Sequence, residues 1–179
     1  MIATLTQAIV AFILTSVLGN RLANAWQTRA AKEARFFEAS KDMYAQMMSA
    51  TEEISRLIGK RIYASQRVCL LSPGDAEFEQ ARSAFKASVI EWNERLLSLD
   101  LSVRTRFRDA SLSQFEWLQA RLAEATRKLN AFIASDSRTG QAAILRELRE
   151  VRAEFFNFTQ NMVREARLLH RQMHFGVVV

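Results

Sequence analysis

The sequence predicts an all-α protein, with one N-terminal transmembrane helix followed by an antiparallel four-helix bundle. Three observations predict it. The first 19 residues, MIATLTQAIVAFILTSVLG, carry no charged side chain, and every Lys, Arg, Asp and Glu lies beyond Gly19. Past that point apolar residues recur at spacings of three and four, the pattern of amphipathic helices. Breakers are scarce, with one proline and five glycines, and no alternating β-branched stretch occurs.

The first element is residues 1–20; its nineteen uncharged residues would span roughly 28 Å as a helix rising about 1.5 Å per residue, close to the hydrocarbon thickness of a bilayer. Three readings compete for it. A signal peptide needs a positive region before the apolar run, and none precedes it; Ala23-Asn24-Ala25 resembles a cleavage site, but Arg21 stands between that site and the run. A buried core helix would be the one stretch of the chain apolar all round. The transmembrane reading fits best. Arg21, Arg29, Lys32 and Arg35 crowd the C-terminal flank, so the positive-inside rule places the N-terminus outside and the remainder in the cytoplasm. A single cysteine, Cys69, offers no disulfide framework. Ala11, Thr15 and Gly19 are spaced by four, with Thr4, Gln7 and Ala8 on roughly the same side. Small residues so spaced let helix backbones approach, and Gln7 can hydrogen-bond across the contact. Against this stands the plain abundance of Ala and Thr in membrane helices.

The second element is a helical stalk, residues 21–40. Its helix is expected to run from about residue 20 to 71, some 75 Å, whereas the next helix, from 75 to about 100, measures only about 38 Å. The returning helix then reaches about halfway to the membrane, and the stalk projects with a seam of Ala23, Trp26, Ala30, Ala34 and Phe37. A lone helix with an apolar stripe calls for a partner. The candidate interface is therefore Gln7, Ala11, Thr15, Gly19, Ala23, Trp26, Ala30 and Phe37, and the expected partners are membrane lipid, further copies of the chain, or another protein.

The bundle is expected over residues 41–175, with a tail at 176–179. Its first stripe is Phe36, Ser40, Met43, Met47, Ala50, Ile54, Ile58, Ile62 and Cys69. Ser72-Pro73-Gly74-Asp75 is the strongest turn signal. A second stripe follows: Phe78, Ala81, Phe85, Val89, Trp92, Leu96 and Leu99. A third holds Phe107, Phe115, Leu118, Leu122, Ala125, Leu129 and Phe132, and Ser135 to Gly140 forms the next turn. The last stripe is Ile144, Leu148, Val151, Phe155, Phe158, Met162, Leu169 and Met173. Most of the twelve phenylalanines lie on these stripes and read as core. One boundary stays open. Residues 98–106, SLDLSVRTR, hold no Gly or Pro, but modest helix formers and capping residues suggest a break there. With the break the bundle has four helices. Without it, residues 75–134 form one helix of about 90 Å and the domain is a three-helix coiled coil.

The segments EEISRLIGKRIYASQR at 52–67 and EWNERL at 91–96 resemble those of small uncharacterised bacterial membrane proteins with one N-terminal membrane helix and a helical cytoplasmic region. The resemblance covers about half of the chain and implies a bacterial inner-membrane setting, with no activity attached.

The chemistry of known sites is missing from the sequence. The net charge of +6 is spread along helix faces, with Arg146, Arg149 and Arg152 interleaved with Glu147, Glu150 and Glu154, a pattern of i,i+4 pairing rather than of nucleic-acid binding. Arg104, Arg106 and Arg108 form a basic cluster that reads first as a solvated helix start near Asp109. His170 and His174 share a helix face but lack the Glu of H-E-x-x-H and any further ligand set. Glu52, Glu53, Glu91 and Glu94 lie amid bases, Cys69 falls on a core stripe, and no P-loop, G-x-G-x-x-G or nucleophile elbow occurs. No catalytic, cofactor-binding or metal-binding residue is expected. The expected function is non-enzymatic: a membrane-anchored scaffold or adaptor at the cytoplasmic face, mediating self-association or protein–protein contact. The alternative is an oligomeric channel or membrane-perturbing effector, lined by Thr4, Gln7, Thr15 and Ser16 and gated by the bundle.

Overall fold

The computed structural model describes residues 2–135 and 139–174, with side chains described for 19–135 and 139–173. Four helices follow one another: α1 (Ile2–Leu70), α2 (Phe78–Arg106), α3 (Asp109–Ala134) and α4 (Gln141–His174). No strand occurs among the described residues. α1 is one uninterrupted helix of 69 residues, about 100 Å long, so the proposed membrane segment, the stalk and the first bundle helix are continuous. Among the described residues no helix is long and apolar enough to cross a membrane. The side chains of the uncharged run lie outside the described residues up to position 18.

Each helix end has an identifiable cause. Pro73 cannot continue α1, and the carbonyl of Cys69 near its end accepts a 2.7 Å hydrogen bond from Gln141 Nε2 at the start of α4. The Asp75 carboxylate accepts from the backbone N–H of Ser72, closing the turn, and α2 begins at Phe78 rather than at residue 75. The positive φ of Gly140, +99°, turns the chain into α4, in a region that L side chains rarely adopt. Asp136, Ser137 and Arg138, expected in this turn, lie outside the described residues, as does the tail at 176–179.

The chain does break between the second and third helices, but not within SLDLSVRTR. Residues 98–106 are all helical, and the break falls on Phe107 and Arg108, both in extended conformation. This removes the three-helix alternative and moves the boundary. The cause is tertiary. Phe107 turns into the core, 8% exposed. The new helix is then capped by a carboxylate from α4: Glu165 accepts from the Arg108 backbone N–H at 2.7 Å and from Ser111 Oγ at 2.7 Å. No side chain of the break itself caps α3. An anion at a helix N-terminus meets both unpaired N–H groups and the positive end of the dipole. Glu165→Ala should lower stability by about 1–2 kcal/mol, read as a lower urea midpoint at unchanged m-value, with Glu165→Gln recovering part of the loss. An unchanged midpoint in Glu165→Ala would show that the cap is dispensable.

The four helices run up and down in order. Gln46 meets Arg106 and Arg67 meets Glu77 between α1 and α2; Ser111 meets Glu165 and Lys128 meets Glu147 between α3 and α4; Ser40 meets His170 between α1 and α4. Inside lie two apolar clusters. The larger one, nearer the stalk, includes Met47, Ile54, Ile58, Trp92, Leu99, Phe115, Leu118, Phe155, Phe158 and Met162. The distal one includes Val68, Cys69, Phe78, Ala81, Phe85, Leu129, Ile144 and Leu148. Near their junction lie buried Arg61, Ser65 and Ser88 and half-buried Thr126.

Candidate functional site

The molecule offers three features beyond a packed core: the stalk, a groove between α1 and α4, and the buried Arg61. The stalk comes first because the sequence placed its interface there. α4 accompanies α1 down to Ser40, which is 2% exposed, with its Oγ 3.4 Å from His170 Nδ1; one turn above, the Tyr44 and His170 rings lie 4.9 Å apart. Every residue from 19 to 39 is exposed. Of the candidate interface, Gly19, Ala23, Trp26, Ala30 and Phe37 all lie on this projecting length, with Trp26 73% exposed. Leu22 and Phe36 are exposed beside them. Gln7, Ala11 and Thr15 lie on the same helix, in the part whose side chains are outside the described residues.

The groove runs along the outer side of the α1–α4 pair and encloses about 340 Å³. Ile58, Ile62 and Phe155 line it from the core side, Tyr63 and Phe156 stand exposed beside it, and Gly59 leaves it open, since no atom lies within 4 Å of where a Cβ would stand. Sequence reasoning missed this groove. Its one signal was a glycine in mid-helix with exposed aromatics on either side of the seam.

Arg61 was missed as well, because a charged residue was taken for surface. It sits seven residues from Ile54 and seven from Val68, and all three are buried. Its Nη2 donates to Thr126 Oγ1 at 2.7 Å, its guanidinium lies 5.9 Å from the centre of the Trp92 ring, and its Nε has no hydrogen-bond partner. Burial alone pulls its pKa down to about 10.

Several of the charged groups singled out in the sequence are paired with one another. Arg56 bridges Glu53 and Glu91, and Lys60 also holds Glu91. The hydrogen bond from Arg56 holds the Glu53 carboxyl below the usual carboxylate range, and those from Lys60 and Arg56 do the same for Glu91, the opposite of the shift a general acid needs. In the basic cluster, Arg104 pairs with Asp100 and Glu116, Arg106 donates to Gln46, and Arg108 lies beside Glu165. Cys69 is buried. Among the described residues no group of three His, Cys, Asp or Glu side chains is placed to hold a metal ion. Comparison with family models, with curated proteins and with solved structures found no match.

Proposed function

We propose that the protein is a membrane-anchored helical scaffold or adaptor, held at the cytoplasmic face of a bacterial inner membrane by residues 1–20, and that it associates with itself or with another protein through the N-terminal length of α1. The observation that carries this reading is the projection of α1 beyond its bundle. Residues 19–39 form about 30 Å of exposed helix bearing Leu22, Trp26 and Phe36. An isolated helix of this length is marginal in water, so an apolar stripe on it is accounted for by a covering partner. The uncharged run ahead of it and the basic residues just after it support attachment to a membrane.

A Cys69→Ala chain carrying a single cysteine at Ala23 or Ala30 tests both parts. The chain should stay with the membrane after alkaline carbonate washing, and mild oxidation in native membranes should give a disulfide-linked dimer or a mixed disulfide with one defined partner. Release by carbonate would defeat the anchor. Monomer alone at both positions would defeat the association.

A further inference from the structure

The charged residues of α4 are sorted by side. Its four carboxylates, Glu147, Glu150, Glu154 and Glu165, all turn toward α3 and hold Lys128, Arg121 and Arg108 there. The arginines interleaved with them in the sequence do not share in this pairing. Arg149, Arg152, Arg164, Arg167 and Arg171 are all exposed, and none has a carboxylate partner among the described residues. At about 100° per residue, Arg149, Arg152, Phe156 and Arg167 project within an arc of about 60°, the edge of α4 that borders the groove shared with α1. From Arg149 to Arg167 this row runs about 27 Å along the helix. Beside it the groove has an apolar floor of Ile58, Ile62 and Phe155, flanked by Tyr63 on α1 and Phe156 on α4, 66% and 62% exposed. Among the described residues no acidic side chain lines it; Glu52 and Glu53, next along α1, border the surface between α1 and α2.

We infer that this edge of the bundle binds an acidic amphipathic helix of another protein, whose apolar side chains enter the groove between Tyr63 and Phe156 while its carboxylates meet the arginine row. Helix-in-groove contacts of this kind read apolar residues at three- and four-residue spacing, and arginine is the cation best suited to carboxylates. Charge complementarity and length select the occupant. A small anion would engage one end of the row and leave the rest of its length unused. A second copy of the chain is a poor match, because the chain carries a net charge of +6 and its α4 carboxylates are already engaged with α3. A nucleic-acid strand matches the arginines and the two exposed rings, but it brings no aliphatic groups to cover Ile58 and Ile62. At Gly59 no atom lies within 4 Å of where a Cβ would stand, so an approaching helix meets no side chain there. This surface lies on the bundle, apart from the stalk, and holds whether or not the stalk associates.

Binding of a labelled synthetic peptide to the full-length chain in nanodiscs of zwitterionic lipid tests the inference. The probe has about 18 residues, enough as a helix to match the arginine row, with leucine at every third or fourth position and glutamate along one flank. It should bind saturably, and empty nanodiscs should not take it up. Arg149→Glu, Arg152→Glu and Arg167→Glu combined should weaken binding roughly tenfold or more, as should Gly59→Leu alone, with helical content and melting unchanged. Arg127→Glu, a charge reversal on α3, should leave binding within about twofold. A peptide of the same composition with its leucines scattered should bind roughly tenfold more weakly or worse. Absence of saturable binding would overturn the inference, and equal binding of the scattered peptide would reduce the surface to unspecific charge attraction. Unchanged binding to Gly59→Leu would remove the groove from the contact. Displacement of the peptide by single-stranded oligouridylate, at a lower concentration than the unlabelled peptide needs, would overturn the protein partner and assign the surface to nucleic acid.

Discussion

Trp92→Ala should destabilise the bundle by about 3–5 kcal/mol, a large share of the 5–15 kcal/mol that holds a typical domain folded. Trp92 is 2% exposed on α2. Its ring lies 6.4 Å from Phe115 of α3 and 6.3 Å from Phe155 of α4, edge-on to the latter, and Phe115 stacks in turn on Phe158 at 5.8 Å. Across the layer the guanidinium of Arg61 on α1 sits over the same indole. One side chain thus touches all three of the other helices. Truncating it leaves a cavity among aromatic rings that close-packed neighbours cannot fill, and it removes the cation–π contact, which adds about 0.5–2 kcal/mol. Urea unfolding followed by circular dichroism reads the loss. Trp92→Phe should retain more than half of the stability, because the aromatic contacts persist while the cavity shrinks. A loss below about 1 kcal/mol in Trp92→Ala would mean that the rings do not form a common core.

The helical class was legible in the sequence because burial in this fold follows periodicity. Phe78, Ala81, Phe85, Trp92 and Leu99 were placed on the second stripe, and all are buried. Three things could not be read that way. The break at Phe107 and Arg108 carries no glycine or proline, because its capping group comes from Glu165, 57 residues further along. Only the fold brings that carboxylate to the start of α3. The groove needs two helices to exist, so neither Gly59 nor Phe156 could announce it alone. Arg61 follows the seven-residue spacing of buried Ile54 and Val68, but its charge outweighed its position. Charged residues are almost never fully buried unless paired, and the rule that normally serves helix-face assignment fails where a hydroxyl and an indole stand in for a carboxylate.

That substitution leads to the second large effect. Arg61→Met should stabilise the protein by about 1–4 kcal/mol, the range found when buried ion pairs give way to apolar residues of similar volume, because here too the desolvation cost of the charge is removed. Arg61 is 4% exposed, its Nε is unpartnered, and its one hydrogen bond is to Thr126 Oγ1, which itself donates to the Leu122 carbonyl. A cation so placed has lost its water and gained no opposite charge. Thr126→Val should therefore cost about 1.5–3 kcal/mol in the native chain, the value of a hydrogen bond to a charged group, and almost nothing in the Arg61→Met background, a coupling that a double-mutant cycle measures directly. The pH dependence provides a separate check. The folded-state pKa lies near 10, below its unfolded value, so the folded chain gives up the proton first. Below about pH 10 the full burial penalty is present. As pH rises through the folded value toward the unfolded one, Arg61 loses its charge in the folded state and native stability gains relative to the methionine variant. The advantage of Arg61→Met should accordingly be constant from pH 7 to 9 and shrink above about pH 10, seen as converging urea midpoints. A methionine variant less stable than the native chain at pH 7 would show that Arg61 contributes net stability through Trp92 and Thr126. Convergence of the midpoints well below pH 9 would mean that the guanidinium is not the group responsible. Since the charged layer lies where the two apolar clusters meet, the same variant should fuse them into one cooperative core. Amide exchange near Val68, Phe85 and Leu129 should then slow to match that near Ile54 and Leu118.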